Sequence, residues 1–236
     1  TVGGTLVRRF VGDREAIAAK TGLTFDVRKI SVRDVTRQRD FPITEGLLTT
    51  DPHEVVSDDT VDLVVEVMGG LEPAGDLILA ALEAGKPVIT ANKELIAARG
   101  PELIAAAEKR GVPLLFEAAV GGGIPIIRPL SETLAGEPVD RVLGIVNGTT
   151  NYILTQMTEH GQSYDAALAD AQELGYAEPD PTADVTGADA ASKAAILASL
   201  AFGTWVGPDD VYTEGIEAIT KVDIALAAEF GYVVKL

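Results

Sequence analysis

The sequence predicts an α/β protein: a parallel sheet layered with helices, followed by an α+β domain with sparser strands. Three observations carry that reading. The stretches "VDLVVEV" (61–67) and "VPLLFEAAV" (112–120) are near-continuous apolar runs of strand length, the pattern of strands buried on both faces. Helix-like segments separate them, so each strand reaches its neighbour through a right-handed crossover. After Gly123 the texture changes to helices joined by polar loops. The boundary is placed near residue 120, giving domains at 1–120 and 121–236.

The elements follow in order. Residues 3–20 predict one helix, with Leu6, Val7, Phe10, Val11 and Ile17 apolar. "LTFDVRKISV" (23–32) alternates as a strand does. The run 61–67 stops at Gly69 and Gly70, and a helix is expected at 72–84. "KPVIT" (86–90) reads as a short strand, then helices at 93–99 and 102–110. The strand 112–120 ends in "GGG". A helix at 124–134 leads to "VDRVLGIV", the polar knot "NGTTN" and a helix on "YILTQMTEH". Helices are further expected at 164–174, at 187–202 and near 221–229. The closing "YVVKL" reads as a strand cut short. The chain opens on Thr1 with no strand before its first helix. The expectation is a piece of a longer protein.

Composition narrows the function classes. A net charge of −17 argues against nucleic acid and anionic membranes, which attract basic faces. Cysteine is absent, which fits a reducing cytoplasm and removes thiolate chemistry. The most apolar stretch, 194–207, is too short to span a bilayer, and no secretory signal is visible.

The front of the chain reads as a nucleotide site. In a Rossmann-type domain a glycine-rich turn enters the first helix and lets the backbone approach a pyrophosphate. "TVGG" stands in that place, so Thr1, Val2 and Gly3 are cofactor candidates, with Gly3 as the third glycine of G-x-G-x-x-G. A plain turn also explains a glycine pair. The segment after the second strand, "VRDVTRQR", carries three arginines in an acidic protein. Arg33 suits the 2′-phosphate of NADP; a solvated loop arginine fits equally, and Asp34 leaves NAD open.

The chemical end lies in "GYAEPDPTADVTGADAASK" (175–193). It carries Glu178, Asp180, Asp184, Asp189 and Lys193, and no charged residue follows before Asp209. On helix 187–202 Lys193 shares a face with Ile196, Leu197 and Leu200. A helix apolar all round is buried, and lysine is rarely buried unpaired. The i,i+4 spacing lets Asp189 meet Lys193; a surface helix with an ordinary ion pair also fits. An EF-hand count from Asp180 fails, because Val185 and Ala191 fall where glycine and glutamate are required. Pro179 and Pro181 stiffen the loop, which suits carboxylates held in place. Lys93, just past a strand end, lies where open α/β sheets bind ligands; it also fits a helix start. "NGTTN" (147–151) fits an N-cap turn, with Thr149 or Thr150 capping the helix that follows. Glu117, beside exposed carbonyls, could hold a cation or serve as a structural glutamate.

Taken together, "TVGG", "TANK", "EAAVGGGIPI", "GIVNGTTNYIL", "GYAEPDPTADVTGADAASK" and "DIALAAEFGYVVKL" resemble the homoserine dehydrogenases. The resemblance implies interconversion of L-homoserine and L-aspartate 4-semialdehyde with NADP or NAD, in threonine, methionine and isoleucine biosynthesis. It implies Lys193 as proton donor and acceptor, and Glu178, Asp184, Asp189 and Gly175 at the substrate. It implies Lys93 at both substrate and nicotinamide. It further implies a monovalent cation, sodium in the family, on Glu117 and the carbonyls of Val120, Gly122 and Ile124. A homodimer is implied too. The rival readings are another two-domain NAD(P) dehydrogenase and a nucleotide-sensing protein without chemistry.

Overall fold

The computed structural model describes residues 2–236, which fall into two units: the residues up to Leu95 with Arg99–Phe116, and Ile96–Ala98 with Glu117–Leu236. In the first unit the single helix expected at 3–20 is two, α1 (Val2–Gly12) and α2 (Arg14–Thr21). Gly12 and Asp13 break it: Asp13 leaves the helical region at φ −110° and ψ 21°, and its carboxylate pairs with Arg9 at 2.7 Å. The alternating stretch 23–32 forms only a short strand, β1 (Ile30–Ser31), parallel to β2 (Leu48–Thr49). Phe25 instead stacks on Phe10 with ring centroids 4.9 Å apart.

A second parallel sheet has the order β3 (Val64–Glu66), β4 (Val88–Thr90), β5 (Leu114–Leu115), with Val88 facing both Val64 and Leu114. Between β2 and β3 lies α3 (His53–Ser57); α4 (Ala74–Glu83) and α5 (Lys93–Arg110) are the crossovers. Ile78, Leu82, Val88, Leu95 and Leu103 are fully buried. Two helices were expected where α5 runs unbroken through Pro101. Leu95 and Leu103, on either side of the proline, are both sealed from water, and their burial outweighs the hydrogen bond that proline cannot donate.

The second unit is mostly helical. Its elements are α6 (Gly148–His160), α7 (Tyr164–Glu173), α8 (Thr182–Val185), α9 (Ala188–Phe202) and α10 (Lys221–Glu229). Its core joins Ile153, Leu154 and Met157 of α6 to Ala167 and Ala171 of α7, with Val185, Ile216 and Ile224. The helix expected at 124–134 contracts to a π-helical turn, Pro129–Thr133. Pro125 and Pro129 lack N–H groups, and the amides of Ile126, Ile127 and Arg128 donate instead to the Glu117 carboxylate at 2.7, 3.0 and 2.9 Å. The closing 232–236 is not a strand. The Asn151 amide clasps Leu236 there, donating to its carbonyl at 2.7 Å and accepting from its N–H at 3.4 Å.

Candidate active site

Two loops of the second unit converge on the start of α9. The first ends in Asn147, whose extended backbone (φ −124°, ψ 123°) makes it the N-cap of α6. Its Oδ1 accepts from the Thr150 N–H at 2.9 Å and the Thr150 hydroxyl at 2.8 Å. The second is the acidic loop. It is fastened where Ile216 N–H donates to the Val185 carbonyl at 2.8 Å. Only glycine fits at 215, because a Cβ there would lie 2.3 Å from the Val185 oxygen. Gly187, at φ +86°, turns the chain into α9 and places Asp189 in its first turn.

The expected pair forms. Lys193 Nζ donates to Asp189 Oδ2 at 2.6 Å and to the Val146 carbonyl at 2.6 Å. The Lys193 side chain is 16% exposed and that of Asp189 7%. Lys193 is thus recessed but reachable. An ammonium has three N–H donors; two are committed here, and the third remains for a ligand. The Asn147 amide donates to Asp184 Oδ1 at 2.7 Å and to Asp189 Oδ2 at 2.8 Å. Asn147, Asp184, Asp189 and Lys193 therefore form one hydrogen-bonded cluster. The sequence offered Thr149 or Thr150 as the cap of this helix; the cap is Asn147, two or three residues earlier, because its extended backbone lets Oδ1 reach the Thr150 N–H.

The other acids of the loop are placed differently. Asp180 accepts from the Thr182 hydroxyl at 2.6 Å and the Thr182 N–H at 3.1 Å. That hydroxyl bond is the main reason its carboxyl sits below the usual range. Asp180 is thus turned onto Thr182, the first residue of α8, and stays outside the cluster. Glu178 is exposed, and Gly175, at φ +76°, closes the turn after α7.

In the first unit Lys93 is the half-buried first residue of α5. The cap is its neighbour Asn92, which accepts from Leu95 N–H at 3.1 Å and donates to the Gly70 carbonyl at 2.7 Å. A buried glutamate was missed in the sequence. Glu66 ends β3, accepts from the Thr90 hydroxyl at 2.6 Å, and takes the Met68 and Gly69 amides at 2.7 and 3.0 Å. This network braces the C-terminal ends of β3 and β4 around Lys93. Gly3 lies in α1, and a Cβ there would come 3.3 Å from Val67 Cγ2, the tight helix–strand approach expected of a third glycine. Val2 begins α1 and is exposed. Arg33 is exposed, and Asp34 beside it is turned onto the Thr36 hydroxyl and N–H. Thr1 lies outside the described residues.

Glu117 was expected at a cation, with the carbonyls of Val120, Gly122 and Ile124. Its carboxylate caps three backbone amides. A carboxylate offers about four lone-pair sites, so one remains. Carboxylate and carbonyl oxygens are hard donors that suit a hard cation. Among the described residues no group of three or more His, Asp or Glu side chains could hold a metal ion, so a cation here would rest mainly on backbone oxygens.

Comparison with known proteins decides the family. The NAD binding domain of homoserine dehydrogenase matches residues 1–117, and the homoserine dehydrogenase domain matches 125–236. The homoserine dehydrogenase of Mycobacterium tuberculosis is 55% identical over 235 residues, covering 100% of this chain and 53% of its own length. The chain belongs to the homoserine dehydrogenase family. It spans about half the length of the curated homoserine dehydrogenases it matches. The crystal structure of a homoserine dehydrogenase from Thiobacillus denitrificans superimposes with a TM-score of 0.89 at 44% identity, over 99% of this chain and 54% of that one. A hyperthermophilic archaeal homoserine dehydrogenase in complex with NADPH aligns with a TM-score of 0.66 at 36% identity, over 72% of this chain and 53% of that one. The expected fold class holds: an NAD-binding α/β domain with parallel sheets precedes a second domain typical of homoserine dehydrogenases.

Proposed function

We propose that the full-length protein carrying this chain interconverts L-homoserine and L-aspartate 4-semialdehyde by hydride transfer with NADP(H) or NAD(H). The step belongs to threonine, methionine and isoleucine biosynthesis. The observation that carries the reading is the Lys193 ammonium, recessed and held by Asp189 and the Val146 carbonyl with one donor left.

Bound NAD(P)(H) supplies or accepts the hydride at carbon. The substrate oxygen must gain or lose a proton in the same turnover, and Lys193 holds that proton at Nζ. Asp189 and Val146 fix two of its bonds, so its remaining N–H is aimed before substrate arrives. Asp184 and Glu178, with Gly175, bind the amino acid's ammonium. Lys93 meets the substrate carboxylate and the nicotinamide. Thr1, Val2 and Gly3 serve the pyrophosphate, and Arg33 the 2′-phosphate. The tight fit of Gly3 against Val67 supports that assignment, and an archaeal relative binds NADPH.

A monovalent cation, sodium by family resemblance, would sit on Glu117 and the carbonyls of Val120, Gly122 and Ile124 and fix the loop 117–128. The protein works as a homodimer in the cytoplasm, a setting its lack of cysteine suits. The test is the nicotinamide absorbance of the full-length protein incubated with L-homoserine and NADP⁺ or NAD⁺. Homoserine-dependent reduction is expected. Cofactor binding without turnover would instead identify a nucleotide sensor, and preference for another alcohol a different dehydrogenase.

A further inference from the structure

The cluster contains a residue that the proposed reaction has not yet used. Asn147 is buried and uses its whole amide. Both N–H donors go to carboxylates, Asp184 Oδ1 at 2.7 Å and Asp189 Oδ2 at 2.8 Å. Both lone pairs of Oδ1 receive Thr150, at the N–H and at the hydroxyl. The flipped amide would set its oxygen against two carboxylates and its NH₂ against an N–H donor, so only one orientation is stable. Two carboxylates on one nitrogen repel each other, and the amide holds them in fixed positions at no cost in charge. Asp189 Oδ2 is shared between Asn147 and Lys193. The preceding residue's carbonyl grips the same ammonium. Residues 146 and 147 therefore set the ammonium's place twice, once directly and once through Asp189.

We infer that Asn147 is a positioning residue that locks Asp184 and Asp189 in register, so that Lys193 presents its proton in one geometry. The inference rests on the dehydrogenase reading above. The cap and the clamp can be separated. Serine caps a helix about as well as asparagine but has no second donor to span two carboxylates.

The experiment compares Asn147→Ser with wild type in the full-length protein, using L-homoserine and NADP⁺. The thermal midpoint should stay within a few degrees, because the α6 cap survives. The kcat should fall roughly 10–100-fold, the usual cost of misplacing a reacting group, while the NADP⁺ KM stays unchanged. The solvent deuterium isotope effect on kcat should rise, because proton transfer becomes slower. A purely structural residue would leave that isotope effect unmoved. If the serine variant does not fold, Asn147→Thr, another capping residue, carries the same test. Wild-type kcat in the folded variant, or a loss with an unchanged isotope effect, overturns the inference while the dehydrogenase reading stands. A wild type inert towards homoserine overturns both.

Discussion

Lys193 Nζ lies 2.6 Å from Asp189 Oδ2, one helical turn away on α9, and both side chains are largely withdrawn from water. A charge pair so placed depends on both partners, because removing one takes a charge-assisted hydrogen bond from the other. The relationship gives Asp189 two tasks, charge balance and orientation. Asp189→Asn keeps the shape, removes the charge and confronts the Asn147 NH₂ with a second amide. Stability should fall by about 1–3 kcal/mol, the range for an unsatisfied polar partner. Urea unfolding measures the first effect. Homoserine turnover by the full-length protein measures the second, and it should drop at least roughly 10²-fold. Wild-type values for both would show the pair to be incidental.

The acidic loop is held by backbone packing as well as charge. A Cβ at residue 215 would meet the Val185 carbonyl at 2.3 Å and Thr186 Cα at 2.8 Å. Both are backbone atoms, so the loop itself must move. Gly215→Ala should destabilise by about 1–3 kcal/mol, the usual cost of overpacking. Gly136, where a Cβ meets nothing within 4 Å, is the control. Its alanine variant should stay within about 0.5 kcal/mol of wild type. Equal behaviour of the two variants in urea would contradict the close approach.

Alkaline pH tests the packing of α7. Burial, the nearby Glu217 charge and Asp165 together raise the Tyr164 phenol above its ordinary value. The fold therefore prefers the neutral phenol. In the unfolded chain the phenol ionises at about pH 10, so this stability is fully present below that pH and is lost as pH rises from there through the higher value of the folded state. Tyr164→Phe should remove part of the alkaline fall in urea midpoint. An identical fall in the variant would place the phenol in solvent.

Much of this was legible in the sequence because it is local. The i,i+4 spacing brought Asp189 to Lys193, and a helix with few charges implied that the lysine was recessed. Apolar runs located β3, β4 and β5, though each is shorter than its run, because a strand extends only as far as its partner pairs with it. What was not legible depends on partners distant in sequence. Asn147 meets Asp184 and Asp189 across 37 and 42 residues, and nothing around it separates a cap from a clamp. Glu66 sat inside an apolar run, and only the fold brings Thr90 to it. The helix expected at 124–134 was shortened by Glu117, a residue outside the pattern.

Arg33, exposed after β1, is the residue we propose to select the cofactor. In the full-length protein Arg33→Ala should raise the NADP⁺ KM roughly 10–100-fold, the worth of a hydrogen bond to a charged group. The NAD⁺ KM should barely change. Equal effects on the two cofactors would remove Arg33 from the 2′-phosphate.

The central claim is that Lys193 exchanges the proton, and Lys193→Met in the full-length protein tests it most directly. Methionine roughly preserves volume and apolar packing, so the fold should survive, as a cooperative thermal transition would confirm. Turnover of L-homoserine should fall by about 10²–10⁴-fold, the usual contribution of general acid–base catalysis. NADP⁺ affinity should hold, because the phosphate-binding candidates lie in the first unit. Arginine should not rescue, since its pKa is too high to cycle. The account predicts a folded, cofactor-binding and nearly inert variant; near-normal turnover across the pH range would contradict it and leave Lys193 as a structural partner of Asp189.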